Sequence, residues 1–537
     1  MRGIFALSKV SPLGSGPAPS DTVVAPARSL LKSIAAPVLP AFRRAPRSNA
    51  YSVDKFLALQ KYVACTSRWR VTAILLVTPI PGLVGALLLS VVPLQSPLDP
   101  VRANPGYLVN CFLICFLVHF GTMMHWRAAS ALPESSYSWH QLVLVCIIGA
   151  SAHWLIVTSI SFLWRFPVPM SWIISGSTIG LANALGHVLV FRERCWRDAH
   201  LINGMRQYVP ALLFQCFQVV LYPAFSVLFD NVSSSFQVLL TLAFPLVKYF
   251  MKIGLRRHTR DLEDLSNEVA VTGIEICASL YQSMILQNAP SQVALIVIIA
   301  VDVLQGLVAV KFFMDQSLLV SRNQVVRLTL DVRSGACDSG RTDGRQVLRP
   351  IPTDGVNQSL PSQISENASR SESKSIPDCR VVEHAQDPEC HTADAKATLQ
   401  LVGTAETILL VEYLEVAIPL LNTLFVAVSC HFNAAMYNPR LRKLYYQPDA
   451  RPAALQSMAF YSLMQALSLL AMHMVMRHRY GLSAVYQLAF ILELHWQSIV
   501  GMMIAWLPII LHFTGIHYGV DFSFRFDYAV MLQTYQP

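Results

Sequence analysis

Between Val71 and about Phe513 the chain is a succession of about eleven apolar stretches, each long enough to cross a bilayer, and this constrains it more than any other feature. The hydrocarbon layer is about 30 Å thick and an α-helix rises 1.5 Å per residue, so a span takes about 20 mostly apolar residues. Backbone polar groups inside lipid must pair within their own segment or in a closed barrel, and the short alternating segments of a barrel are absent here. Composition agrees: of 537 residues 54% are hydrophobic and 14% charged, with a mean hydropathy of +0.45, whereas soluble domains carry about a quarter charged residues. The expectation is an all-α, polytopic transmembrane helical bundle with a disordered N-terminal tail and one long hydrophilic loop.

The expected spans cover 71–94, 106–126, 141–164, 168–191, 208–229, 235–254, 268–288, 292–315, 401–428, 453–476 and 486–513. Residues 321–400 separate the eighth from the ninth. There Ser, Asp, Arg, Gly and Pro replace aliphatic runs, with 10 Lys/Arg against 11 Asp/Glu, the composition of a disordered cytosolic linker. The organisation is thus a basic tail (1–50), an interfacial amphipathic helix (51–70), eight spans (71–320), the linker (321–400), three spans (401–515) and a C-terminal tail (516–537).

Basic loops stay cytosolic, and residues 1–70 hold eleven Lys/Arg against only Asp21 and Asp54. A cytosolic amino terminus puts Arg192–Arg206 and Lys252–Arg260 on the same side, as their charge requires. Pro439–Arg451 conflicts with this: Arg440, Arg442, Lys443 and Arg451 would lie outside. The first fifty residues, poor in acid and rich in Ser, Ala, Pro and Arg, resemble a mitochondrial transit peptide, but Pro12, Pro17 and Pro19 interrupt its helix. The plainer reading is a cytosolic tail drawn to anionic lipid, in a plasma-membrane or endomembrane protein. Phe56, Leu59 and Val63 then recur at helical spacing with Lys55, Lys61 and Arg68 between them, an interfacial helix ending at Trp69.

Intramembrane charge carries the functional signal. A carboxylate at the bilayer centre costs at least about 2.5–3.5 kcal/mol, so such groups face a partner, a cavity or a pathway. Glu275, Asp302, Glu406, Glu412, Glu415 and Glu493 cluster in the second half, near Lys248 and Lys311. Glu412 and Glu415, three residues apart, share a helical face. Glu275, Asp302, Glu412 and Glu415 are the candidate ion or proton pathway; pairing near span ends is the structural alternative. Prolines at 79, 81, 223, 245, 419 and 508 fit broken spans at a binding site or simple packing kinks. Gly176, Gly180 and Ala184 form a small-residue stripe suited to close helix packing, with Asn183 and His187 beside it.

Other chemistry is thin. The eleven cysteines, several of them inside spans, imply no disulfide framework. Cys379, His384, Cys390 and His391 fit no standard zinc spacing. Walker, HExxH, GxSxG and CxxC motifs are missing, and the histidines at 119, 125, 153, 187, 473 and 512 are scattered singly. No catalytic residue, metal ligand set or cofactor is implied, and the basic surplus, lying in tail and loops, gives no case for nucleic acid.

The runs YSVDKFLALQKYVACTSRWR (Tyr51–Arg70), HTRDLEDLSNEVAVTGIEICASLYQSMILQ (His258–Gln287), LLVEYLEVAIPLLNTLFVAVSCHFNAAMYNP (Leu409–Pro439), YGLSAVYQLAFILELHW and GVDFSFRF resemble an expanded group of uncharacterised multi-pass membrane proteins of oomycetes. That resemblance implies the membrane class and no activity. Two functions compete. One is a proton- or cation-coupled small-solute transporter or channel, its acids lining a water-accessible cavity. The other is a receptor or scaffold, its acids buried against partners and its tail and linker, with Ser371, Ser373 and Ser375, binding proteins.

Overall fold

The computed structural model describes residues 51–130, 136–258, 266–287, 292–316, 388–521 and 524–533. The basic tail, the linker as far as residue 387 and the Cys379–His384 pair lie outside these. Among the described residues there are helices and no strand.

In chain order the described α-helices longer than four residues are α1 (Val53–Cys65), α2 (Arg68–Val77), α3 (Ile80–Val91), α4 (Pro105–Ala129), α5 (Trp139–Leu163), α6 (Ser171–Phe191), α7 (Ala199–Asn231), α8 (Ser234–His258), α9 (Ser266–Gln287), α10 (Gln292–Gln316), α11 (Pro388–Ser429), α12 (Pro439–Tyr446), α13 (Arg451–Tyr480), α14 (Ala484–Leu494), α15 (Trp496–His512) and α16 (Tyr528–Gln533). Each expected span coincides with one of these or with a pair. Local chemistry sets several boundaries. Ser52 and Ser67 cap α1 and α2 by accepting from the Lys55 and Arg70 amides, and Pro79 and Pro81 separate α2 from α3. Ser138 and Gln141 form a capping box at the start of α5. Helix α11 begins at Pro388, inside the stretch expected to be linker.

Seven helical segments are long and apolar enough to cross a membrane, and eight if α14 and α15, bent by 77° about His495, make one crossing. The chain is a helical, multi-pass membrane protein. The expectation of eleven spans is not reached by this measure. The shortfall falls on α7 and α9, whose faces carry Gln215, Gln218, Glu275 and Gln282, and on α10, whose described apolar stretch runs only from Ile296 to Val308.

Helix α15 is the centre of the bundle: every residue from Ser498 to His512 is buried, as for a helix surrounded on all sides. It crosses α4 backbone to backbone, where a Cβ at Gly121 would lie 2.4 Å from the Gly501 carbonyl oxygen and one at Gly501 2.7 Å from that of Gly121. The expected stripe does not do this. Among the described residues a Cβ at Gly176 or Gly180 would meet nothing within 4 Å, and Ala184 is half-buried; the close approach seen here is that of α4 and α15.

At one end of the bundle the α3–α4 loop meets the segments after α11 and α15. The Leu94 amide donates to Asn433, His517 Nε2 contacts the Gln95 carbonyl at 2.7 Å, and the Met170 amide donates to Gly519. Within the expected C-terminal tail, Ile516, His517, Tyr518, Asp521 and Tyr528 are buried. This also accounts for the discordant basic loop. Arg442, almost fully buried, donates to the Met531 and Leu532 carbonyls at the end of α16, and Arg451 donates to those of Leu444 and Tyr445. These two cations cap helix ends, which gives their presence a reason in folding, whereas Lys443 of the same loop is exposed.

Helix α1 is attached to the bundle along one face. Phe56 and Leu59 pack with Leu399, Val402 and Phe490 of α11 and α14, and Val63 points outward. Trp69 is exposed.

Candidate intramembrane site

Helices α8, α9, α10, α11 and α13 bring polar side chains together near their midpoints. Lys248 of α8 places its ammonium 2.9 Å from Glu275 Oε2 of α9 and 2.7 Å from Glu415 Oε1 of α11. Lys252, one helical turn on, pairs with the other oxygen of Glu275. Glu275 is fully buried and Lys248 nearly so. The two lysines share one face of α8 because they are four residues apart, and that face is turned to α9 and away from lipid.

Asp302 of α10 is ringed by donors. Gln282 of α9, Tyr461 of α13 and Gln465 of α13 donate to Oδ2 at 2.6, 2.6 and 3.1 Å, and Gln305 donates to Oδ1 at 3.0 Å. Gln465 also donates to the Tyr461 oxygen at 3.0 Å, which aims the phenol proton at Asp302. Glu412 accepts from Ser468 of α13 at 2.8 Å.

The structure therefore brings Glu275 and Glu415 onto one lysine and sets Asp302 of α10 and Glu412 of α11 against the polar side chains of α13. Although Glu412 and Glu415 are neighbours on α11, they part company, one toward α13 and the other toward α8. Lys311, which the sequence placed near these acids, is exposed on α10. Among the described residues four carboxylates accompany two lysines, so with every one of these groups ionised two negative charges are unmatched. Among the described residues no three His, Cys, Asp or Glu side chains converge to hold a metal ion. A cavity of about 20 Å³ adjoins Asp302, lined also by Phe225, Phe229, Thr241, Phe244 and Pro245. That is about the room one water needs.

Glu406 and Glu493 serve another purpose. Glu406 accepts from the Tyr51 hydroxyl at 2.5 Å and pairs with Lys55 at 2.9 Å; Glu493 accepts from the Tyr62 hydroxyl at 2.9 Å and pairs with Arg70. Both acids clamp α1 onto the bundle. Burial first, and then the carboxylate it donates to, push the Tyr62 phenol above its ordinary value.

The histidines are less solitary than their spacing suggested. His119 bonds Asn183 at 2.6 Å and His153 at 3.3 Å, joining α4, α5 and α6 inside the bundle. His187 stacks against Tyr137 at 5.8 Å. Asn183 and His187 stood out in the sequence beside the glycine stripe, but no local signal could tie them to residues 64 and 50 positions earlier.

No family model, no curated protein and no solved structure matches this chain.

Proposed function

We propose that this protein is a proton-coupled transporter of a small solute, with Glu275, Asp302, Glu412 and Glu415 as its coupling groups and Lys248 as their internal counter-ion. One observation carries the reading: a buried lysine shared between two carboxylates, with two further acids beside it that meet no lysine among the described residues. Such an excess in hydrocarbon is relieved when a carboxylate takes up a proton or a cation. Protonation of Glu415 would release Lys248 to Glu275 alone and change what holds α8 to α11. That gives a proton a direct mechanical consequence for helix packing, as alternating access needs. The choice of proton over multivalent metal follows from the divergence of the four acids.

The test is proton movement into vesicles reconstituted with the purified protein, followed with a trapped pH indicator under an imposed solute gradient. Acidification that depends on a solute and is lost in Glu415→Gln, in protein that still folds, supports the reading. Absence of any such flux across a broad panel of small solutes would sink it.

A receptor or scaffold is the second reading, favoured by the burial of Glu275 and Glu412 against side chains and not against a wide aqueous space. It places activity in the tail and linker, so removal of residues 333–386 would abolish function and leave folding intact. Residence in the plasma membrane or an endomembrane, and kinship with the oomycete multi-pass group, belong to the same proposal and add no activity to it.

A further inference from the structure

We propose that the pocket beside Asp302 binds a monovalent cation of ammonium type, either ammonium itself or the charged head of a small primary amine. The inference rests on the transport reading in taking this cation for the solute, but the binding it describes stands on the geometry of the pocket.

Asp302 is unlike the other acids of the site. Glu275 and Glu415 meet lysines, whereas among the described residues Asp302 has no ion-pair partner. All four of its hydrogen bonds are donated to it, by three amide groups and one phenol. Of these four donors only the Tyr461 oxygen could accept an acid proton, and its own proton is turned toward Asp302. The arrangement holds a carboxylate that either a cation or the coupling proton would neutralise. Its two oxygens are unequally used: Oδ2 takes three donors and Oδ1 takes one, which leaves Oδ1 with capacity to spare.

The pocket wall supplies what a weakly hydrated cation prefers. Phe225, Phe229 and Phe244 line it, with the Phe225 and Phe244 rings 5.2 Å apart. Aromatic faces attract ammonium groups electrostatically and do so best away from water. Pro245 lines the same pocket from inside α8. Having no N–H, it cannot donate to the carbonyl of Thr241 four residues earlier, and Thr241 also lines the pocket. A carboxylate oxygen and an aromatic wall, with Thr241 beside them, make a site for a cation that carries its own N–H donors. At about 20 Å³ the space takes a group of water or ammonium size and excludes a bulky quaternary head. Lys248, in contact with Glu275 and Glu415, is the fixed charge nearest to this role and is already engaged.

The experiment is equilibrium binding of radiolabelled methylammonium to the full-length protein in lipid nanodiscs, with no gradient and no transport required. Saturable binding is expected, displaced by unlabelled ammonium more strongly than by equal sodium. Asp302→Asn, close in shape, is expected to weaken it at least about tenfold, and Phe244→Leu by about three- to tenfold, with both variants checked for folding by size exclusion and thermal melting. Absence of saturable binding, equal binding by the folded Asp302→Asn protein, or stronger displacement by sodium would overturn the inference. Binding without proton flux in vesicles would leave it standing while removing the transport reading, and flux without binding would do the reverse.

Discussion

Lys248 and Glu275 face each other at 2.9 Å near the midpoints of α8 and α9, with side chains 6% and 0% exposed. Removing one partner of such a pair leaves an uncompensated charge in a medium that cannot solvate it. Lys248→Met is therefore expected to lower stability by about 3–5 kcal/mol, since it strips Glu415 of its ammonium and leaves Glu275 with Lys252 alone. Adding Glu415→Gln should restore part of the loss, and the non-additivity is measurable from melting of the two single variants and the double variant in detergent. Equal melting of Lys248→Met and wild type would show that the pair is not formed.

Substitutions at glycines separate true helix contacts from apparent ones. Gly121→Ala forces a methyl to within 2.4 Å of the Gly501 oxygen and 2.6 Å of the Ala505 nitrogen, both of them backbone. Overpacking of this kind costs about 1–3 kcal/mol. Gly180→Ala meets nothing and gains helix propensity, up to about 1 kcal/mol. Thermal melting of both variants should shift in opposite directions.

The clamp on α1 is held by its ends as well as by Phe56 and Leu59. Tyr62→Phe combined with Glu493→Gln removes the Tyr62 bond and the charge facing Arg70. Amide exchange across 53–65 should then accelerate by about tenfold, with α11 and α15 unchanged, a magnitude set by one charge-assisted hydrogen bond. Unchanged exchange would place the whole attachment in the apolar contacts.

How much of this was legible in the sequence depends on the range of the interaction. The apolar stretches all became helices, Pro79 and Pro81 did divide the first, and Lys248 was singled out with the acids it meets. What could not be read was which acid meets which partner. Glu412 and Glu415 share a face by periodicity, yet Ser468 takes one and Lys248 the other, because α11 lies between α8 and α13. Tyr51 and Glu406 are 355 positions apart, and nothing local joins them. Helices apolar all round offer no stripe from which a buried face can be read, so the centrality of α15 and the Gly121–Gly501 crossing emerge only from packing. The basic residues at 442 and 451 misled for a related reason: a count of charge cannot see that they cap carbonyls.

Acid weakens the cap formed by residues 516–521. His517 is buried among Tyr107, Phe166 and Tyr437, and burial lowers its pKa from 6.5 to about 4, against a smaller upward pull from the Gln95 carbonyl. Because the folded state resists the proton, the unfolded chain binds more protons between these values, and stability falls as pH drops from 6.5 toward 4. The full effect is about 3 kcal/mol. His517→Gln should flatten the pH dependence of melting across that window, and an undiminished slope would assign it to other groups.

The most direct measurement is the water accessibility of the coupling acids. Single cysteines at positions 302, 412 and 415, in a background freed of other cysteines, would be probed in sealed vesicles with a charged thiol reagent applied to one side at a time. The account predicts labelling at 415 and 302 from both sides, slowed when the other side is acidified. Failure of all three positions to label from either side, in protein shown to be folded, would contradict it and leave the acids as packing groups.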